Sequence, residues 1–325
     1  MTAPTRPARR RSSHIRGSGL AFWLFVGPFL LGLVAFTIVP IGWSAVLSVF
    51  DAKATITPTD FVGLRNYTDF LTDTAFLTSL RTFGVFALFI VPVTMAMSLG
   101  LALLLNRLPF GQGFFRAVFF LPVACSYVVA ALVWRLGLFN GLPSGLVNEL
   151  LGVFGVDPVS QWLTESPLYW IVLVSVRLWL QVGFYMLLFL AGLQRIPAML
   201  YEAAALDGAG TGWRSFRFIT LPQLRATTAA VLLLLVVSAF QAFDEFYNLL
   251  ANNPNTRPPL VYLYYVALGA QQDFGHGSAG ALLLTLVMVV VALVQIRVFG
   301  FGSDEDRPTR RRRRRRPALT GGADA

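Results

Sequence analysis

Arg135, Arg177, Asp244 and Glu245 fall inside long apolar runs of a 325-residue chain, where ionisable side chains are least expected. Neighbouring carboxylates can act as general acid and base, bind the hydroxyls of a passing solute, or pair with a guanidinium. A catalyst would need a second polar cluster at the same depth, and only Arg177 offers itself, so no enzyme is expected. Arg135 stands near the end of its run, where its head group can reach water, and reads as structural. Arg177 and the Asp244-Glu245 pair lie deeper. They leave two readings open: the lining of a pathway, or an ion pair joining two helices.

Other chemistry is sparse. His14 and His276 stand apart from any acidic cluster, and Cys125 is the sole cysteine, so neither a metal centre nor an internal disulfide is expected. The sole lysine, Lys53, follows Ala52, which excludes a G-x-x-x-x-G-K-[ST] phosphate loop. No cofactor is expected, and ATP is not expected to bind this chain. Asp304-Glu305-Asp306 reads as a solvated patch.

The surrounding elements explain why those few charges matter. The chain is 56% hydrophobic and only 13% charged, with 28 Phe, whereas soluble domains carry about a quarter charged residues. That excludes a cytosolic enzyme, a disordered regulator and a disulfide scaffold. The net charge of +10 is gathered at the ends, in Arg6, Arg9, Arg10, Arg11 and Arg16 and in the unbroken run Arg310–Arg316. A polybasic run beside a last span suits anionic lipid headgroups, at about 1 kcal/mol per residue; no accompanying fold supports nucleic-acid binding.

Six segments have the roughly 20 apolar residues that a spanning helix needs: Phe22–Val49, Phe83–Leu105, Phe114–Leu138, Leu168–Leu193, Thr227–Leu250 and Ala279–Phe299. The first is too long for the apolar core of a signal peptide. The expected fold is all-α and polytopic, with a basic tail (1–21), a membrane domain (22–300) and an Arg-rich tail (301–325). Arginines cluster in both tails, at Arg107 and Arg116, and at Arg195, Arg214, Arg217 and Arg225, while 139–167 has none. By the positive-inside rule both termini, 106–113 and 194–226 face the cytoplasm. Trp43, Trp134, Trp162 and Trp170 then fall near outer ends and Trp23 and Trp213 near inner ones, as interfacial aromatics should. Pro92 and Pro122 are expected to kink spans two and three without further meaning.

The cytoplasmic segment from Gln194 to Pro222 is the most informative. Pro197 suits a first helical position, 199–206 are mostly helix formers, and Gly208 supplies the left-handed residue that stops the helix. Gly212 lets the chain re-enter, and 213–220 makes a second short helix with Trp213 and Phe216 on one side, ended by Leu221-Pro222. Two helices too small to fold alone need a partner surface. Ala203, Ala204 and Ala205 give the first a thin face that fits a groove, and Glu202 projects a charge into it.

Glu202-Ala203-Ala204, Asp207-Gly208-Ala209, Phe216 and Ile219-x-Leu221-Pro222 resemble the EAA loop of permease subunits in bacterial ATP-binding-cassette importers. The likeness extends over almost the whole chain. Phe61-Val-Gly-Leu-Arg-Asn-Tyr67, Asp73-x-x-Phe76, Leu101–Arg107, Phe114-Phe-Arg-Ala117 with Phe120-Leu-Pro122, and Ala191-Gly-Leu-Gln-Arg-Ile-Pro197 resemble the carbohydrate-uptake branch, and within it the first permease subunit of maltose- and glycerol-3-phosphate-type systems. Phe243-Asp244-Glu245-Phe246 resembles that subunit's fifth-span motif, but Leu250-Ala-Asn-Asn-Pro254 replaces the usual Thr-x-Gly-Gly-Pro turn.

The resemblance implies the type I importer permease fold with cytoplasmic coupling helices, its core transmembrane domain running from about 79 to 300. It also implies a bacterial cytoplasmic-membrane location, a second permease subunit, two separate ATPase subunits that bind the ATP, an extracytoplasmic solute-binding protein and a carbohydrate substrate. Glu202 would dock into a cleft on the ATPase. Sugars bind through aromatic faces with carboxylates and amides, so Trp179, Gln181, Tyr185, Phe243, Asp244, Glu245 and Asn248 are the candidate pathway residues; the competing reading is packing against a helix or lipid, the usual place of an aromatic in so Phe-rich a chain. The resemblance places Trp179, Phe243, Asp244 and Glu245 in matching motifs. An ion-driven secondary transporter would be expected to show internal repeats, and none is visible; a membrane-embedded enzyme using Asp244 and Glu245 is the other alternative.

Overall fold

The computed structural model describes residues 18–208, 212–250, 253 and 256–299. Ala209 of the coupling loop, Pro254 and both arginine-rich tails lie outside the described residues. The described chain is helical, with two isolated bridges, Phe50–Phe61 and Lys53–Asp273. In chain order the helices are α1 (Phe22–Leu47), α2 (Arg65–Thr72), α3 (Thr74–Asn106), α4 (Gln112–Ala124) and α5 (Tyr127–Leu138), and α6 (Leu146–Val153). There follow α7 (Leu168–Leu193), α8 (Ala198–Leu206), α9 (Trp213–Gln223), α10 (Arg225–Phe240), α11 (Asp244–Leu250), α12 (Pro259–Leu268) and α13 (Phe274–Phe299).

Four helices, α1, α3, α7 and α13, are long and apolar enough to cross a membrane; the bent pairs α4–α5 and α9–α10 raise the number to six if each is one span. The six expected spans are recognisable, with corrections. Span three is not one kinked helix: it turns through 94° between α4 and α5. Pro122 contributes no N–H, and Cys125 and Ser126 adopt extended backbone (ψ 140° and 138°), which ends one helix and starts the next. Span five stops at Phe240, not Leu250. Asp244 and Glu245 open a new helix, where carboxylates favour the positive end of the helix dipole. Pro92, by contrast, leaves α3 a single helix. Span two begins earlier than expected, at Thr74, and span six at Phe274.

Packing divides the chain into two units. The first holds the described residues up to Gly84 with Leu250–Leu286. Its centre is Phe70, fully buried, with ring centroids 4.9 Å from Phe76 and 4.2 Å from a stacked His276. His276 thus serves as an aromatic plate. Asn66 donates to the carbonyls of Ser48 and Phe50 at 2.9 and 3.0 Å, tying α2 to the segment after α1. The Tyr262 hydroxyl donates to the Asp73 carboxylate. Burial, with Asp73 beside it, raises the pKa of that hydroxyl, so it remains a donor.

The second unit runs from Val85 to Leu249 and resumes at Val287. Its axis is α7, which buries Val172, Leu173, Val176, Met186, Phe189 and Leu190 among others. Gly183 sits so close to α4 that a Cβ would lie 1.8 Å from the Phe119 carbonyl oxygen, and a Cβ on Gly192 would lie 2.6 Å from Thr227 Oγ1. Small residues at such crossings let helix backbones approach.

Outside the spans, Asn148 of α6 is 3% exposed. It donates to the carbonyls of Leu142 and Val159 and accepts from Val159 N–H and Trp162 Nε1, all between 2.9 and 3.1 Å. Asn148→Ala leaves those four groups without this partner, at about 1–3 kcal/mol for the buried Trp162 N–H. The expected result is earlier proteolytic cleavage within 139–167 and a shifted Trp162 emission; unchanged cleavage would mean the loop is held otherwise.

Candidate functional site: a polar cavity and an outward-facing loop

Within the second unit, α7 points Arg177 and Gln181, one helical turn apart, at α10 and α11. Arg177 is 3% and Glu245 2% exposed. One guanidinium nitrogen donates to Glu245 Oε1. Another donates to the Ser238 carbonyl at 2.6 Å and to Ser238 Oγ at 3.0 Å, and Nε donates to Gln181 Oε1 at 3.2 Å. Gln181 Nε2 then donates to Tyr127 Oη and to Ser238 Oγ, each at 2.7 Å. The cation also stands 5.6 Å from the Phe86 ring centre and 5.8 Å from that of Tyr127. A buried charge persists when it is paired and its donors are satisfied, and these are.

Two cavities share Tyr127. One, of about 200 Å³, is lined by Tyr127, Arg177, Ser238, Gln241, Asp244 and Glu245. The other, of about 160 Å³, lies at the break in span three and is lined by Val123, Cys125, Tyr127, Gln181, Phe184 and Tyr185 among others. Of the expected pathway residues, Gln181, Tyr185, Asp244 and Glu245 line these cavities. Trp179 does not: two positions from both Arg177 and Gln181, it sits on another side of α7, 42% exposed, its ring 5.1 Å from Trp134. Phe243 stacks on Tyr247 at 5.3 Å, and the Asn248 amide donates to the Asp244 carbonyl at 2.7 Å within α11. Arg135 donates to the Asn248 carbonyl at 3.1 Å. Sequence reasoning missed Tyr127, Ser238 and Gln241. Tyr127 alone carried a local signal, since it follows the break opened by Pro122.

The loop after α7 is the second candidate. Pro197 is the N-cap of α8, one position earlier than expected, with extended backbone (ψ 131°). Asp207 caps the helix end and Gly208 takes the left-handed conformation (φ +74°). Glu202 and Ala203 are exposed and Ala204 half-buried. The second helix, α9, runs past Pro222 to Gln223 and contains a π-helical turn over Phe216–Thr220. Phe216 and Ile219 are half-buried, whereas Leu221 and Pro222 are exposed. Tyr201 Oη and Thr220 Oγ1, 3.0 Å apart, link the two helices. Met199, Leu206, Trp213 and Phe218 are exposed by 68% or more.

Comparison with family-level sequence profiles matches none. Individual relatives are clear. A probable ABC transporter permease protein of Pyrococcus horikoshii is 32% identical over 80% of this chain and 89% of its own length. The chain belongs to the ABC transporter permease family. The permease is also 35% identical to the trehalose/maltose transport system permease protein MalF of Thermococcus litoralis, over 80% of this chain and 87% of that one. It is likewise 35% identical to the arabinooligosaccharides transport system permease protein AraP of Bacillus subtilis, over 79% and 81%. Its fold matches a subunit of a bacterial ABC transporter involved in the import of the acidic polysaccharide alginate, with a TM-score of 0.76 at 20% identity, covering 86% of this chain and 95% of that one. The permease is therefore an all-α integral membrane protein with the fold of an ABC importer permease, and its family transports solutes.

Proposed function

We propose that the permease carries a carbohydrate or related solute into the cell as the first of two permease subunits, with both termini in the cytoplasm. ATP is hydrolysed by two separate ATPase subunits that grip α8 and α9, and an extracytoplasmic binding protein delivers the solute. The observation that carries this reading is the helix pair α8 and α9, on which Met199, Leu206, Trp213 and Phe218 are exposed together with Glu202. Apolar side chains on so small a helix pair are stabilised when a partner surface covers them. Closure of the ATPases would then move α8 and, through the Tyr201–Thr220 contact, α9 and α10; the energy enters as a difference in contacts between two states. The oligosaccharides named for the relatives, and cavities lined by Tyr127, Gln181, Tyr185 and Asp244, support the carbohydrate class.

Gly208 tests the coupling. A Cβ there meets nothing within 4 Å, so only the backbone objects. A left-handed conformation costs a non-glycine residue about 1–2 kcal/mol, and Asn less than most. Gly208→Val should lower ATP-driven uptake about tenfold or more with normal membrane insertion, and Gly208→Asn should keep most of it. Full transport by the Val variant would remove α8 from the coupling path.

A further inference from the structure

We propose that this permease passes uncharged or cationic solutes and turns anions away, with Asp244 as the residue that sets the rule. Resting on the carbohydrate reading above, the substrate class becomes neutral and amino sugars, with uronates and sugar phosphates excluded. The inference comes from following each charge at the larger cavity. Arg177 looks like an anion receptor by residue type, but its donors are taken by Glu245, Ser238 and Gln181, and the side chain is almost wholly enclosed. Arg177 and Glu245 cancel. Tyr127, Ser238 and Gln241 bring only dipoles.

The charge left facing the space is the Asp244 carboxylate, exposed and, among the described residues, outside ion-pair distance of any cation. Arg135 keeps its charge at the Asn248 carbonyl, one turn further along α11, but it does not line this cavity. An unshielded carboxylate about 8 Å from a monovalent ion, in a medium between protein and water, changes its local concentration roughly fivefold. The solved relative described as importing an acidic polysaccharide shares the fold at 20% identity. The fold therefore leaves charge preference open, and the side chains decide it.

The molecule contains its own probe. Cys125, exposed and the sole cysteine of this chain, lines the adjoining cavity that shares Tyr127. In the assembled transporter, the intact mass of this subunit reports modification of Cys125 by methanethiosulfonates with a trimethylammonium or a sulfonate head, each rate normalised to a free thiol in solution. The cationic reagent should react at least about fivefold faster. Asp244→Asn should bring that ratio close to one and Asp244→Glu should restore it. Equal rates in the unaltered protein, or a ratio indifferent to Asp244→Asn, would overturn the proposal.

Uptake into proteoliposomes tests the solute class separately, with a panel of neutral oligosaccharides and their uronic-acid analogues. Asp244→Asn should raise uptake of a uronate relative to its neutral parent by about fivefold, and preference for the uronate in the unaltered transporter would overturn the rule. A transporter that carries nothing in the panel yet keeps the cation-favouring thiol ratio supports the charge rule and sinks only the carbohydrate reading.

Discussion

Glu245→Ala is expected to destabilise the permease by about 3–5 kcal/mol, because it leaves the Arg177 guanidinium charged, enclosed and without its counterion. The remaining bonds to Ser238 and Gln181 satisfy donors but do not neutralise the charge. Arg177 borders the polar cavity but is only 3% exposed, so water there can solvate little of the freed cation. Thermal unfolding of the assembled transporter, followed by intrinsic fluorescence, should show a clear drop, with uptake falling alongside. Glu245→Gln, which keeps an acceptor without the charge, should fall between. Replacing both partners with leucine removes the desolvation problem and should recover much of the lost stability. A single Ala variant that melts with the unaltered protein would show that the pair contributes nothing.

Gly183→Leu is expected to be as damaging for a different reason. The Cβ position lies 1.8 Å from the Phe119 carbonyl oxygen, 2.6 Å from its carbon and 3.1 Å from Phe120 Cα. These are backbone atoms that cannot rotate aside, so α4 would have to retreat from α7 by more than about 1 Å. Overpacking costs typically 1–3 kcal/mol even where side chains can yield; against backbone, about 3 kcal/mol or more is expected. The shift would reach the break at Cys125-Ser126 and the cavity beside it. Gly183→Ala should already lower the melting temperature and the uptake rate. Gly100→Ala, where a Cβ meets nothing within 4 Å, should lower neither. An unaltered melting point for Gly183→Leu would contradict the tight crossing of α4 and α7.

Much of this architecture was legible in the residues alone. Spans announce themselves because a lipid core demands about 20 apolar residues in a row whatever their neighbours are. The Gly208 turn was equally local: a left-handed backbone after a run of helix formers needs no tertiary partner to be recognised. Span three misled because one proline inside a helix ordinarily only kinks it. The 94° turn arose from Pro122 together with two extended residues, and nothing in the types Cys and Ser demands that conformation. The π-helical turn at Phe216–Thr220 and the end of span five at Phe240 were invisible for the same reason.

The site divides along the same line. Which side chains are ionisable in an apolar environment is written in the chain, and Arg177, Asp244 and Glu245 were named from it. Whether two of them neutralise each other depends on how α7, α10 and α11 face one another, a matter of angstroms between residues 61 and 68 positions apart. Trp179 was named for its residue type and motif, but two positions from both Arg177 and Gln181 it lies about 200° around the helix axis, on another side. Residue types and the cost of burying polar groups in lipid determined that this chain is a helical membrane protein with a short helical loop between its fourth and fifth spans. Only helix packing decided that Arg177 is spent on Glu245 while Asp244 faces open space, because Coulomb energy depends on distance and shielding, which have no counterpart in a linear sequence.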